Sequence, residues 1–165
     1  MSSEARILEA ALTCLRDGGD LTMAQVAKKA GLSRQAVYLH FPGREALLTA
    51  LQARQPPAPD IDTAPSARAA LGMLVIAQAN ADPGLAALDE TPDAAEARLA
   101  RCRTVALRFQ AEGALAPQLS PGAATDLLWS LTGPRLWQEL VAGRGWSADR
   151  YRTHVTYLAT GAVTK

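Results

Sequence analysis

Arg34, Gln35, Ala36, Tyr38, His40 and Arg44 crowd into one short stretch of this chain, and their side chains share one chemistry, recognition of a nucleic acid. A glutamine can hold the edge of an adenine with two hydrogen bonds, and an alanine methyl can pack on a thymine methyl, which assigns base reading to Gln35 and Ala36. Tyr38, His40 and Arg44 can donate to phosphate oxygens, contacts that position a protein but read no sequence. Lys28 and Lys29 lie just upstream and, with Arg34 and Arg44, put positive charge where phosphates would run. The hydroxyl residues Thr22 and Ser33 complete the candidate contacts. No comparable set exists for catalysis. His40 belongs to the stretch above, and His154 stands alone and reads as a surface or interface histidine. Neither has a Cys or Ser partner at a readable spacing, and no metalloprotease, nucleophile-elbow, phosphate-loop or metal-cluster motif occurs, so no metal or cofactor is implied.

The elements that must carry these residues are helices. Thr22 followed by Gln25 is a capping box that opens a helix running to about Lys29. Gly31 stops it, because a residue without Cβ enters the left-handed region at no steric cost. Ser33 caps the next helix, 34–39, with Val37 and Phe41 facing a core of Val26, Ala27, Ala30 and Leu32. Two short helices joined by a tight turn are how a helix-turn-helix lays its second helix in the major groove. On spacing alone, an ordinary αα corner fits as well. Upstream, Ile7, Leu8, Ala11, Leu12 and Leu15 predict an amphipathic helix over 3–17, ended by Gly18-Gly19. Downstream, Pro42 is expected at the first position of a fourth helix, 43–54.

Residues 55–65 hold four prolines and read as an extended linker. Beyond it the pattern is again helical: Ser66 to about Ala81, a short piece over 84–90, Thr91-Pro92 to Glu112, Ser120-Pro121 to about Ala142 with a break at Gly133-Pro134, and about 148–160 after Ser147. There is no strand pattern. The expected fold is all-α, with about nine helices in two parts: a helix-turn-helix domain at 1–54, and a helical domain at 66–165.

Bulk properties bound the function. The chain has 165 residues, 48% of them hydrophobic, and a net charge of only +1, which excludes a uniformly basic nucleic-acid coat. Residues 1–55 carry seven Lys/Arg against five Asp/Glu, and the remainder ten against eleven. Cys14 and Cys102 are far apart without a CxxC and read as small buried hydrophobes. No signal-peptide pattern and no apolar run approaching the roughly 20 residues of a membrane span is present, so a cytoplasmic protein is expected.

The run Tyr38-Leu39-His40-Phe41-Pro42-Gly43-Arg44-Glu45-Ala46-Leu47 closely resembles the N-terminal signature of TetR-family transcriptional regulators. Thr22, Val26, Ala27 and Ala30-Gly31-Leu32-Ser33 match the same signature in order and spacing, and the resemblance covers residues 4–51. This chain departs from the pattern at Arg44, where the family usually has Lys, and at Gln35-Ala36, where a Gly-Thr pair is frequent. Those last two positions face bases, so no relative's operator carries over. The chain is also short for the family, and its proline-rich linker is unusual.

The resemblance implies a homodimer bound to a palindromic operator on double-stranded DNA, usually as a repressor, and paired through the last two long helices, about 121–142 and 147–162. Ala123, Ala124, Leu127, Leu128, Leu131 and Leu136 fall on helical spacing suited to that pairing, and equally to the protein's own core. It also implies a small-molecule effector that reorients the DNA-reading heads. Met73, Gln78, Phe109, Trp129, Trp137 and Trp146 are the candidate lining, and each also serves as ordinary core or interface packing. Charge is sparse over 66–88, which points to a mainly hydrophobic effector. The competing reading is a dimeric helical interaction or ligand-binding protein that does not bind DNA.

Overall fold

The computed structural model describes residues 1–165 except Gly19, Ala87 and Asp89. Gly19 of the expected Gly18-Gly19 stop, and Ala87 and Asp89 of the expected 84–90 helix, therefore lie outside the described residues. Among the described residues the regular elements are all helices, and the one β-type pairing is an isolated antiparallel bridge between Leu115 and Thr164. It divides into two compact units, Met1–Pro56 with Ala81–Leu88, and Pro57–Asn80 with Asp89–Lys165.

The N-terminal unit contains α1 (Ser3–Arg16), α2 (Met23–Ala30), α3 (Arg34–His40), α4 (Arg44–Gln52) and the single turn α6 (Pro83–Ala86). Local chemistry explains each boundary. The Thr22 hydroxyl accepts from the Gln25 N–H at 3.2 Å, and the Gln25 side chain accepts from the Thr22 N–H at 3.4 Å, completing the capping box. Gly31 takes φ 66°, ψ 36°, and the Leu32 and Gly31 N–H groups bond the Ala27 and Lys28 carbonyls, the Schellman closure that stops α2. The Arg6 guanidinium adds a 2.7 Å bond to the Ala30 carbonyl at the same helix end. Pro42 differs from expectation. Gly43 is the cap of α4 and Arg44 its first residue, so Pro42 sits outside the helix. The core of the unit is Ile7, Ala11, Leu12, Val26, Ala27, Val37, Phe41, Leu47 and Leu51, joined by Leu85 of α6.

The C-terminal unit contains α5 (Ala67–Ala79), α7 (Pro92–Ala111), α8 (Pro121–Leu131), α9 (Pro134–Trp137) and α10 (Ala148–Val163). Here α5 packs on α7 and α10, and α8 packs on the same two helices. Leu71, Val75, Cys102, Val105, Phe109, Leu128, Trp137, Tyr151, Val155 and Val163 fill the space between them. The expected 121–142 helix breaks at Thr132-Gly133 and continues as α9 and a π-helical turn, Gln138–Gly143. The expected 55–65 linker is only partly extended. Ile61–Thr63 forms a 3₁₀ turn with Ile61 buried, and Arg108 of α7 donates to the Ile61 carbonyl at 2.9 Å and to Ala64's. Pro83–Ala86, placed by the pattern in the 66–165 segment, belongs instead to the N-terminal unit.

Candidate nucleic-acid interface

Helix α3 spends one side on the core and leaves the other to solvent. Val37 is fully buried and Phe41 nearly so, whereas Arg34, Gln35, Tyr38, Leu39 and His40 are exposed. With 3.6 residues per turn, Gln35 and Leu39 each fall within about 20° of the direction opposite Val37, one turn apart. Tyr38 stands to one side of that ridge, 49% exposed, and Ala36 to the other, half-buried. The Ser33 hydroxyl oxygen accepts from the Ala36 N–H at 3.1 Å, which fixes the start of α3 and leaves the O–H to donate outward.

The flanking residues divide by what already holds them. Lys28 is exposed on α2. Lys29 is paired with the Asp17 carboxylate, whose hydrogen bond raises the lysine's pKa. The Thr22 hydroxyl accepts from the Gln25 N–H and donates to the Gln25 side-chain oxygen at 3.1 Å, so the cap uses both of its roles. The Arg44 guanidinium bonds the Leu21 carbonyl through Nε at 3.3 Å, which ties the first residue of α4 to the segment entering α2. Ten expected contact residues thus share one unit, and Gln35, Tyr38, Arg34, Lys28 and His40 present unburied side chains. Leu39 was missed from that set because apolar residues are read as core. At 81% exposure it is the most exposed large hydrophobic residue of α3.

The candidate effector residues differ in burial. Phe109 and Trp137 are buried in the core of the C-terminal unit, while Met73 and Gln78 are half-buried on α5. Trp129 is partly exposed, and Arg98 covers its ring at 4.5 Å while donating to its carbonyl at 2.7 Å. Glu90 holds the other side of that guanidinium at 3.0 Å. Trp146 lies under Arg150 at 4.3 Å and meets the edge of the exposed His154 ring at 5.4 Å. A surface pocket of about 340 Å³, lined by Ser66, Arg68, Phe109, Glu112, Ala114, Thr164 and Lys165, includes Phe109 alone of the candidates.

Four buried donors in this unit have no hydrogen-bond partner among the described residues: the Trp137 indole Nε1, the Tyr151 and Thr160 hydroxyls and Arg101 Nε. Pattern reading did not single out Tyr151. It is fully buried, and burial pushes its phenol up to about 12 against the opposing pull of the Arg98 charge. Burial likewise raises the Cys102 thiol, which lies 3.7 Å from the Thr132 hydroxyl. Among the described residues no cluster of His, Cys, Asp or Glu could hold a metal, and no helix is long and apolar enough to cross a membrane.

Residues 7–51 match the family model of bacterial regulatory proteins of the tetR family. Comparison with curated proteins finds no match. Among solved structures the fold is similar to native NalD of Pseudomonas aeruginosa, the secondary repressor of the MexAB-OprM multidrug efflux pump, with a TM-score of 0.72 at 19% identity over 99% of this chain and 96% of that one. It is also similar to the Bacillus subtilis transcriptional regulator FadR in complex with stearoyl-CoA (TM-score 0.66, 16% identity, 94% of this chain, 97% of that one). A third similar structure is the SmeT–triclosan complex (TM-score 0.62, 20% identity, 100% of this chain, 93% of that one).

Proposed function

We propose that this TetR-family regulator represses transcription as a cytoplasmic homodimer, bound to a palindromic operator and released by a small, mainly hydrophobic ligand. DNA binding itself follows from the family match over residues 7–51. The observation that carries the base-reading role of α3 is its outward ridge. Gln35 stands opposite the buried Val37, with the exposed Arg34 and Tyr38 together on one flank of the ridge, where a major-groove helix presents its contacts. Gln35 and Ala36 read bases. Lys28, Arg34, Tyr38, His40 and Arg44 hold phosphates, with Ser33 adding a hydroxyl. In this reading the 1–54 domain binds the operator, and the 66–165 domain, apart from the 83–86 turn that joins the N-terminal unit, pairs the subunits and receives the signal.

Pairing is assigned to α8 and α10. On α8, Ala124 and Leu128 are buried in the unit's own core while Leu127 is partly exposed; on α10, Tyr157 is 83% and Leu158 51% exposed. A helix pair with core on one side and apolar residues on the other suits both jobs. The ligand reading is supported by the donors of Trp137, Tyr151, Thr160 and Arg101, which have no partner among the described residues, since a buried polar group without a partner costs about 1–3 kcal/mol and invites an acceptor. To release DNA, the ligand must bind more tightly to the conformation that fits the operator less well.

Selection of bound duplexes from a random library at about physiological salt, beside a Tyr38→Ala/Arg44→Ala control, tests the reading. Enrichment of an inverted repeat that is lost in the control is the expected result. No enrichment, with or without triclosan or stearoyl-CoA as trial effectors, would move the assignment to a helical interaction or ligand-binding protein that does not bind DNA.

A further inference from the structure

Leu39 is the outermost apolar side chain of the N-terminal unit's exposed α3 ridge, and no core or cap role explains it. It is 81% exposed, one helical turn from Gln35, on the side of α3 opposite Val37. Residues 21–44 hold four Lys/Arg and no Asp or Glu, so even with Lys29 paired to Asp17 the surface around Leu39 suits a polyanion. Ala36, the other apolar side chain on the outer half of α3, is half-buried and reaches less far.

Resting on the DNA-binding reading above, we infer that Leu39 is a specificity residue: its isobutyl group packs on the 5-methyl group of a thymine next to the base pair read by Gln35. In the major groove that methyl is the one apolar feature distinguishing thymine, and apolar side chains recognise it by contact alone. Gln35 and Leu39 then form a two-part reader, an amide for hydrogen-bonding edges and a leucine for a methyl, presented one turn apart along the groove.

The test removes the methyl from the DNA and the side chain from the protein in one cycle. Wild-type protein selects an operator from a random duplex library, and each thymine of one half-site is then replaced singly by deoxyuridine. One replacement should weaken wild-type binding about fourfold, the equivalent of about 0.8 kcal/mol for one buried methyl-sized group. Leu39→Ala should bind the thymine operator more weakly than wild type and be indifferent to that replacement. Because Leu39 is exposed, the variant should keep the wild-type melting temperature, and Leu39→Met should retain the preference. Operators without thymine in the half-site, wild-type binding unaffected by every uracil replacement, or uracil penalties that all persist undiminished in Leu39→Ala would each overturn the inference while leaving DNA binding intact. Failure of the wild type to select any duplex would overturn both.

Discussion

Gly84 lies so close against Leu12 that a β-carbon built on it would stand 2.8 Å from the Leu12 carbonyl oxygen. The single turn α6 is therefore docked backbone to backbone on α1. Asp82 fixes it there: its carboxylate accepts from the Gly84 N–H at 2.7 Å and pairs with Arg16, and Arg16 also holds Glu9 at 3.1 Å. Gly84→Ala should lift α6 from α1, expose Leu85, and cost the N-terminal unit about 1–3 kcal/mol, as overpacking of a close contact does. Urea unfolding measures it, and an unchanged midpoint would show that α6 can shift without loss.

The ion pair on Lys29 separates two adjacent lysines that look alike in sequence. Lys28→Ala and Arg34→Ala should each flatten the dependence of log K on log salt by about 0.9, the slope for one neutralised phosphate. Lys29→Ala should change that slope less, because Asp17 already neutralises it. Binding titrations between roughly 50 and 200 mM salt decide the matter. Equal flattening by Lys28→Ala and Lys29→Ala would mean that the Asp17 pair opens on DNA.

Arg108 converts part of a proline-rich stretch into structure by bonding the carbonyls of Ile61 and Ala64. Hydrogen bonds from a charged donor contribute about 1.5–3 kcal/mol each, so Arg108→Ala should free residues 58–64 and lower the stability of the C-terminal unit by at least one such bond. Arg108→Lys should recover little, since a point charge cannot fork to two carbonyls. Hydrogen exchange over 58–64 reports the change directly; unchanged protection in Arg108→Ala would show that burial of Ile61 holds the turn by itself.

Tyr151 makes alkaline stability specific to one residue. Its folded-state pKa is raised from the ordinary 10.0 to about 12, so the folded protein binds the phenolic proton more tightly than the unfolded chain. The stabilisation from this group is complete below pH 10 and is lost as pH rises from there through about 12. Tyr151→Phe should remove that component of the alkaline loss. At neutral pH it should leave stability unchanged or slightly raised, because the hydroxyl it deletes has no partner. A clear loss at neutral pH would reveal an acceptor on that hydroxyl.

Helix boundaries in the N-terminal unit were legible in the chain itself. Thr22 with Gln25, Gly31 and Ser33 act on backbone groups within a few residues of themselves, so their spacing is enough to place α2, the turn and α3. The burial of Val37 and Phe41 followed from periodicity for the same reason. Tertiary structure decided what periodicity does not encode. Whether Lys29 meets a phosphate or Asp17, whether residues 61–64 hang loose or are gripped by Arg108, and whether the 83–86 turn packs on α1 all depend on partners 12 to 72 positions away in sequence, and on Leu12 having a carbonyl open to a glycine. Leu39 and Tyr151 show the same division by residue type. A leucine is expected inside and a tyrosine hydroxyl at a polar partner, yet three-dimensional packing leaves the leucine in solvent and the hydroxyl buried alone. Local hydrogen bonding sets where helices start and stop; only the assembled neighbours set what each side chain has left to offer a partner.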